Sequence, residues 1–373
     1  MPQSHHPDRN LGTHTGVDTG NGLRILAIDV GAGTQDILVW ESDREPENCP
    51  KLVLPSQTRI VAGRVREATA AGLPLHLTGT LMGGGASGES VAAHLTAGLP
   101  VTATPAAAAT LHNNPARVAA MGVTLLDEAP PGAAVVELRD IDLDALGAAL
   151  APFGIDLPET VAVAVQDHGY RPGAGNNEVR FDYLQGLLAG GGDLAGMVYT
   201  DPPQGMTRMA AVRAAVPGVH LMDTGAAAVL GALGDPAVAR AAREDGAILV
   251  NVGNMHTFAT LVRGRRLYGL FEHHTGGITP ARIGELVDRL RDGTLDPDGF
   301  RARFDGHGAA LSPDYGTAGP FRFVAVTGPN RRLARSLGYH EAAPHGDMML
   351  AGAYGLVEGV LLARRAGRTL VAD

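Results

Sequence analysis

Apolar residues fall along this chain in short blocks of two kinds. Val161-Ala162-Val163-Ala164-Val165, reached from Thr160, is apolar at every position, the pattern of a strand covered by helices on both faces. From Leu23 to about Glu159, short apolar runs alternate with Ala-rich helical stretches, as in Pro74-Leu75-His76-Leu77-Thr78 followed by Ser90 to Ala97. Such alternation predicts α/β layering. Gly196-Met197-Val198-Tyr199 and Val219-His220-Leu221-Met222 read as further strands on either side of a helix from Gly205 to Ala215. Thr224 to Leu233 reads as an Ala-rich helix whose Gly225 and Gly231 suit close packing, and Asp235-Pro236 restarts a helix that runs to Arg243.

The polar turn Glu244-Asp245-Gly246 precedes a new strand, Ala247-Ile248-Leu249-Val250, and marks the passage into a second lobe. Periodicity fades over Gly293 to Gly319, which reads as a long loop. Phe321 to Val326 then predicts a strand, Arg331 to Leu337 a helix, and Met348 to Arg365 a long helix of small residues. Residues 1 to 22 carry almost no apolar period and predict a disordered tail, in which His5, His6 and His14 have no structured setting. The expected organisation is a tail over 1–22, lobe I over 23–244 completed by 347–373, and lobe II over 245–346.

Composition narrows the class. With 373 residues, 45% of them hydrophobic and 18% charged, the chain is long enough for two packed cores. The net charge of -9 comes without a basic block, so the electrostatic footprint of a nucleic-acid or anionic-membrane partner is missing. No stretch reaches the roughly 18 apolar residues of a spanning helix, and the N-terminus lacks a signal-peptide core; a cytoplasmic protein is expected. Cys49 is the single cysteine, which excludes an internal disulfide and any site that needs several thiolates. Lys51 is the single lysine and lies in Pro50-Lys51-Leu52-Val53, not behind a glycine loop. A Walker A phosphate loop is therefore absent.

A long-range echo carries the chemistry. Ile28-Asp29-Val30-Gly31-Ala32-Gly33-Thr34, followed by Ile37-Leu38-Val39, returns as Val250-Asn251-Val252-Gly253-Asn254-Met255-His256-Thr257 followed by Ala259 to Val262. Each is a strand, a glycine turn and a second strand. Glycine turns let backbone N–H groups approach an anion, threonine adds a donor, and an acid at the strand end can hold the water shell of Mg²⁺. Val326-Thr327-Gly328-Pro329-Asn330 is a third element, a strand-to-helix turn able to cover a phosphate or ribose.

In this order the motifs resemble those of the superfamily of actin, the large heat-shock chaperones and the sugar kinases. Asp29 to Thr34 is similar to its first phosphate motif, Asn251 to Thr257 to the second and Val326 to Asn330 to the adenosine motif. Asp223 to Gly231 and Asp347 to Gly355 resemble its two interlobe helices. The resemblance implies an α/β fold of two related ribonuclease H-like lobes, mixed sheets flanked by helices, with Mg-ATP in the cleft between them. Within the superfamily, Val30 to Asp36 is similar to an uncharacterised prokaryotic family labelled pyruvate formate-lyase activating enzyme-like. A radical activase needs three cysteines around its cluster, so that activity does not fit Cys49 alone.

The resemblance implies that Gly31, Gly33, Thr34, Gln35, Gly253, Asn254, His256 and Thr257 grip phosphates, that Gly328 and Asn330 flank the nucleoside, and that Asp29 holds Mg²⁺ through water. Asp223 is either the carboxylate that activates the acceptor or an N-cap for the following helix. Asp167 and His168, after a buried strand, are either base and acceptor contacts or turn residues. Gly84, Gly85 and Ser87 form either an anion nest or a plain loop. His273, His274 and His345 lack a recognised metal-ligand spacing and read as surface or hinge residues. Asn251 departs from the aspartate that usually opens the second motif and weakens the hold on Mg²⁺.

The expected activity is ATP-dependent phosphoryl transfer to a small metabolite. The alternatives are an ATPase or nucleotide-gated switch with a protein client, and a degenerate nucleotide sensor. Oligomeric state stays open.

Overall fold

The computed structural model describes residues 22–174 and 177–367. Apart from Gly22, the tail expected over 1–22 lies outside the described residues. The chain opens as an antiparallel meander, β1 (Arg24–Val30), β2 (Thr34–Glu41) and β3 (Lys51–Pro55). A separate parallel sheet follows, from β4 (Leu75–Gly79), β5 (Val101–Ala103), β6 (Val123–Leu125) and β7 (Ala134–Leu138). The chain then returns to the first sheet with β8 (Thr160–Val165) parallel to β1, and β9 (His220–Met222) parallel to β8.

The same plan recurs downstream. β10 (Ala247–Val252), β11 (His256–Arg263), β12 (Arg266–His274) and β13 (Gly308–Leu311) form an antiparallel run. β14 (Phe323–Thr327) lies parallel to β10, and β15 (His340–Glu341) parallel to β14. The sheet orders are β3-β2-β1-β8-β9 and β13-β12-β11-β10-β14-β15. In both, a hairpin meander is extended on the far side of its first strand by two parallel strands. This repeated order is the ribonuclease H-like lobe of the actin-like ATPase fold, and the sheet β4 to β7 is an insertion between the third and fourth strands of the first copy.

Strand alternation divides the cores. Leu26, Ile28, Val161, Val163 and Val165 point to one side of the first sheet, while Ile25, Ala27, Ala162 and Ala164 point to the other. The second group shares one core with Ala247, Leu249 and Phe258 of the second sheet, through the helices Thr224–Ala232 and Ala351–Arg365. The inserted sheet has its own core around Leu75, Leu77, Val61 and Val91.

Those two helices cross with their backbones in contact. A Cβ on Gly231 would stand 1.7 Å from the carbonyl oxygen of Ala351, and one on Gly355 would stand 1.7 Å from that of Ala227. Only glycine permits such an approach. One turn away, a Cβ on Gly352 would meet Asp29 Oδ2 at 1.8 Å, so the helix start lies directly on the end of β1.

Several expectations need correction. Gly196 to Tyr199 is not a strand: Leu194–Met197 is a 3-10 helix, and Tyr199 makes only an isolated bridge to Leu221. Arg331–Leu337 is a 3-10 helix, and the last helix starts at Ala351 and not at Met348. The loop expected over 293–319 contains the short helix Phe300–Phe304, held by burial of Phe300 and Phe304, and β13, held by pairing with β12, neither of which a run of four or five residues can signal.

Gly355→Ala should lower stability by about 2 kcal/mol or more, the scale of a forced backbone shift in a packed core. Gly186→Ala, in the helix Glu178–Ala189 with open space around it, should instead be neutral or stabilising by up to about 1 kcal/mol. Urea unfolding of the two variants checks the contrast.

Candidate functional site

A cavity of about 1290 Å³ lies between the two repeated sheets, where the turns following β1, β8, β10 and β14 converge. The β1–β2 and β10–β11 turns are built alike. Gly31 N donates to Thr34 O at 2.9 Å, and Gly253 N donates to His256 O at 2.9 Å. At their tips the turns approach each other: a Cβ on Gly33 would stand 2.7 Å from Asn254 Nδ2. Gly328, at φ +95°, packs so closely on the second turn that a Cβ would lie 2.5 Å from Asn251 Oδ1.

Asp29, Gly31, Thr34, Asp167, His168, Asp223, Gly253, Asn254, His256 and Gly328 all face this cavity, as do Gly84 and Gly85. Five other candidates do not line it. Gly33 is taken up by the contact between turns. Gln35 is buried and donates from Nε2 to Pro55 O at 2.9 Å. Thr257 is buried, with Oγ1 3.1 Å from Thr275 Oγ1. Asn330 donates from Nδ2 to Gly253 O at 3.0 Å, tying the third turn to the second. Ser87 is buried and spends its hydroxyl on Gly84 O. In the last four cases a polar side chain that reads as a ligand contact is consumed in a bond within the protein.

The acidic side of the cavity is under electrostatic strain. Asp29 and Asp36 are direct partners across the β1–β2 ladder, and Oδ1 of each is buried with no hydrogen-bond partner among the described residues. Burial raises Asp29 well above the usual carboxylate range, with Asp36 and Asp223 adding to it. Burial likewise pushes Asp36 to about 6; the Thr34 hydroxyl opposes the rise and Asp347 reinforces it. Two unsatisfied carboxylates beside a pair of glycine turns fit a hydrated Mg²⁺ with phosphates, the ion supplying the positive charge that the pair lacks.

Asp223 and Asp167 are differently placed. Asp223 Oδ1 caps its helix by accepting from Gly225 N at 2.9 Å, and both its oxygens pair with the Arg180 guanidinium. Asp167 accepts from Gly169 N at 2.8 Å and Met209 N at 2.9 Å. These bonds orient both carboxylates at the cavity wall and leave each of them further acceptor capacity.

Arg180, from the first half of the molecule, also donates to Glu272 Oε2 of β12 at 2.7 Å. Burial alone would raise Glu272, but Arg180 and the His307 ring overcome it and hold the group below the usual carboxylate range. Glu272 Oε1 accepts from Gln166 Nε2 at 2.9 Å and faces His307 Nδ1 at 2.6 Å. Gln166 Oε1 in turn meets His256 Nδ1, and His307 Nε2 lies 3.1 Å from His274 Nδ1. Burial lowers His256 to about 3, leaving its ring neutral.

Sequence reasoning missed Asp36, Gln166, Arg180, Glu272, His274 and His307. Asp36 was within reach, because a hairpin turning at Gly31 to Gly33 sets it opposite Asp29. Glu272 stands in the apolar run Leu270-Phe271, an unusual place for an unpartnered acid. His274 is no idle surface residue, since it is the cross-strand partner of His256.

Asp36→Asn tests the strained pair. A group whose folded pKa is raised stabilises the fold below its unfolded value, here about 3.8, and loses that stability as pH climbs through about 6. The variant should therefore match the parent at pH 4 and exceed it at pH 8 by about 2–3 kcal/mol, with Mg²⁺ narrowing the gap. An equal difference at both pH values refutes the assignment. Arg180→Met, which strands two carboxylates, should cost about 3–5 kcal/mol in urea unfolding.

Comparisons with solved structures give weak likenesses along most of the chain. The ethanolamine utilization protein EutJ from Carboxydothermus hydrogenoformans is 11% identical, with 91% of each chain covered and a TM-score of 0.30. The PilM-PilN type IV pilus biogenesis complex gives 12%, 90% of this chain and 98% of that one, at 0.39. An exopolyphosphatase-like protein gives 12%, 93% and 88%, at 0.30. No curated protein matches the chain.

One family does match, over residues 82–333, under the description "Putative pyruvate format-lyase activating enzyme (DUF1786)". The activity in that description calls for an iron-sulfur cluster on several thiolates. The chain has one cysteine, Cys49, buried and with Sγ 3.8 Å from Glu45 O, so its residues do not fit such a cluster. The match nonetheless spans more than half of the sequence and runs from the glycine loop at Met82 to the turn after β14, and the chain belongs to the DUF1786 family.

Proposed function

We propose that the cleft binds Mg-ATP and transfers a phosphoryl group to a small, anionic acceptor. The observation that carries this reading is the continuity of the cavity. It joins the paired glycine turns and the Asp29–Asp36 carboxylates to a second wall made by Gly83, Gly84, Gly85 and Arg208. Such a shape has room for a nucleotide and a second molecule. Phosphoryl transfer asks a protein mainly for positioning and charge stabilisation, which glycine N–H groups and a hydrated cation supply.

In this assignment Asp29 and Asp36 hold Mg²⁺ through water, the turns at Gly31 and Gly253 take the phosphates, and Gly328 lies beside the nucleoside. Asp223 or Asp167 activates the acceptor, each carboxylate oriented by the hydrogen bonds it already accepts. Arg208 is pinned by Asp140 at 2.7 and 2.8 Å and by Gln166 O at 2.9 Å, and it presents fixed positive charge to an acceptor carboxylate. Asn251 makes cation binding weaker than an aspartate would, so Asp29 and Asp36 carry that role. The lobes are assigned as 23–244 with 347–373, and 245–346, of which 175–176 and 368–373 lie outside the described residues.

One observation favours a second reading, a nucleotide-gated switch with a protein client: Arg180 and Gln166 both bridge the repeated halves.

Calorimetry with ATP, with and without Mg²⁺, followed by phosphate release in the same sample, separates these readings. Mg-dependent binding that Asp29→Asn weakens at least about tenfold, equivalent to about 1.4 kcal/mol, together with release accelerated by a carboxylated acceptor, supports transfer. Binding without release supports the switch. Absence of binding to any nucleotide rejects both.

A further inference from the structure

Four histidines gather on one wall of the cleft, away from the strained carboxylates. His256 opens β11, His274 closes β12 directly opposite it, and His307 precedes β13. The His256 and His307 ring centres are 4.5 Å apart, and those of His274 and His307 are 4.1 Å apart. One ligand atom from each of these three lies within 4.8 Å of the others. His168 stands just outside, with its ring 5.3 Å from His256 and 5.5 Å from His307.

We propose that His256, His274 and His307 form a binding site for one divalent first-row transition ion of the zinc class, with an open coordination position facing the cleft.

The hydrogen-bond chain fixes which nitrogens are available. Arg180 holds Glu272, so Glu272 is an ionised acceptor, and His307 Nδ1 must carry the proton that faces it at 2.6 Å. His307 Nε2 is then a bare lone pair. Gln166 spends its amide N–H on Glu272 and turns its oxygen toward His256 Nδ1. That oxygen can only accept, so His256 Nδ1 is also protonated and its Nε2 is free. Two lone pairs are thus set by partners of the kind that orient metal-bound imidazoles, a carboxylate and an amide oxygen.

The spacing suits an ion. Two nitrogens on one zinc ion, each about 2.0–2.1 Å from it, stand about 3.4 Å apart at a tetrahedral angle and about 2.9 Å apart at a right angle. His307 Nε2 and His274 Nδ1 are separated by 3.1 Å, a hydrogen bond in which His274 Nδ1 donates; an ion entering between them takes the place of that proton, which is released to solvent or moves to His274 Nε2. His307 is buried, His256 half-buried and His274 exposed, so the ligands close one side and leave the other to the cavity. Three protein ligands with an open fourth place is the arrangement of sites that activate water or hold a substrate oxygen. Imidazole donors select Zn, Cu, Ni or Fe over Mg²⁺, which prefers oxygen. The site is therefore chemically distinct from the Asp29–Asp36 pair and does not rest on the nucleotide reading.

The test uses the full chain in a His5→Asn, His6→Asn, His14→Asn background, stripped with chelator, so that tail imidazoles cannot contribute. Co²⁺ is titrated and followed by its visible ligand-field bands, and Zn²⁺ by calorimetry and thermal shift. One ion per chain is expected, with micromolar or tighter affinity that excess Mg²⁺ does not displace. His274→Asn and His307→Ala should each weaken it at least about 100-fold and abolish the Zn²⁺ thermal shift, and Gln166→Leu should weaken it about 10–100-fold. Since His307 is buried, His274→Asn reads the same site without disturbing the core. X-ray absorption of the parent should report nitrogen ligands. No bound ion, affinity unchanged by His274→Asn, or a shell of oxygen alone overturns the proposal.

Discussion

One buried guanidinium organises the cleft. Arg180 reaches from a helix of the first half to Asp223 at the end of β9 and to Glu272 in the middle of the second sheet. Pairing a charge on two sides in a dry setting costs desolvation, and the attraction offsets that cost only when the geometry is good and the remaining oxygens are satisfied. Here they are. Glu272 passes its hold to Gln166 and His307, and Gln166 passes it to His256. The cation orients Glu272 directly, Gln166 and His307 at one remove, and His256 and His274 at two.

A neighbouring part of the molecule relies on the absence of side chains. The helices Thr224–Ala232 and Ala351–Arg365 touch backbone to backbone at Gly231 and Gly355, and Gly352 brings the second helix onto Asp29. Larger residues would separate the helices and move the ends of β1 and β10 with them. At these positions the Gly-rich composition has a packing requirement behind it. Close packing and charge pairing meet at Asp223, which caps the first of these helices and pairs with Arg180.

The sequence announces those features that rest on local pattern. The apolar run at Val161–Val165, the two glycine hairpins and the small-residue helices are each visible because a strand period, a turn residue or a helix composition marks them within a few positions. The repeated lobe plan follows from the echo of Asp29–Thr34 in Asn251–Thr257. What stays hidden depends on distant partners. β13 is four residues, Gly308–Leu311, made a strand only by β12, and His307 enters the site on that account. Arg180 looks like any helix surface arginine until Glu272 is folded against it. Gln35, Ser87, Thr257 and Asn330 show the reverse error, since polar residues next to a site are as often braces as contacts.

The contact between Gly33 and Asn254 has a kinetic meaning. The two turn tips meet across the cavity and Arg180 and Gln166 bridge behind them, so the two halves can move apart only by breaking a buried ion pair. The exposed Asn254, Met255 and His274 leave the cavity open to solvent, and a small ligand reaches it without that rupture. Entry and rearrangement are thereby separated, and a single arginine sets the pace of the second alone.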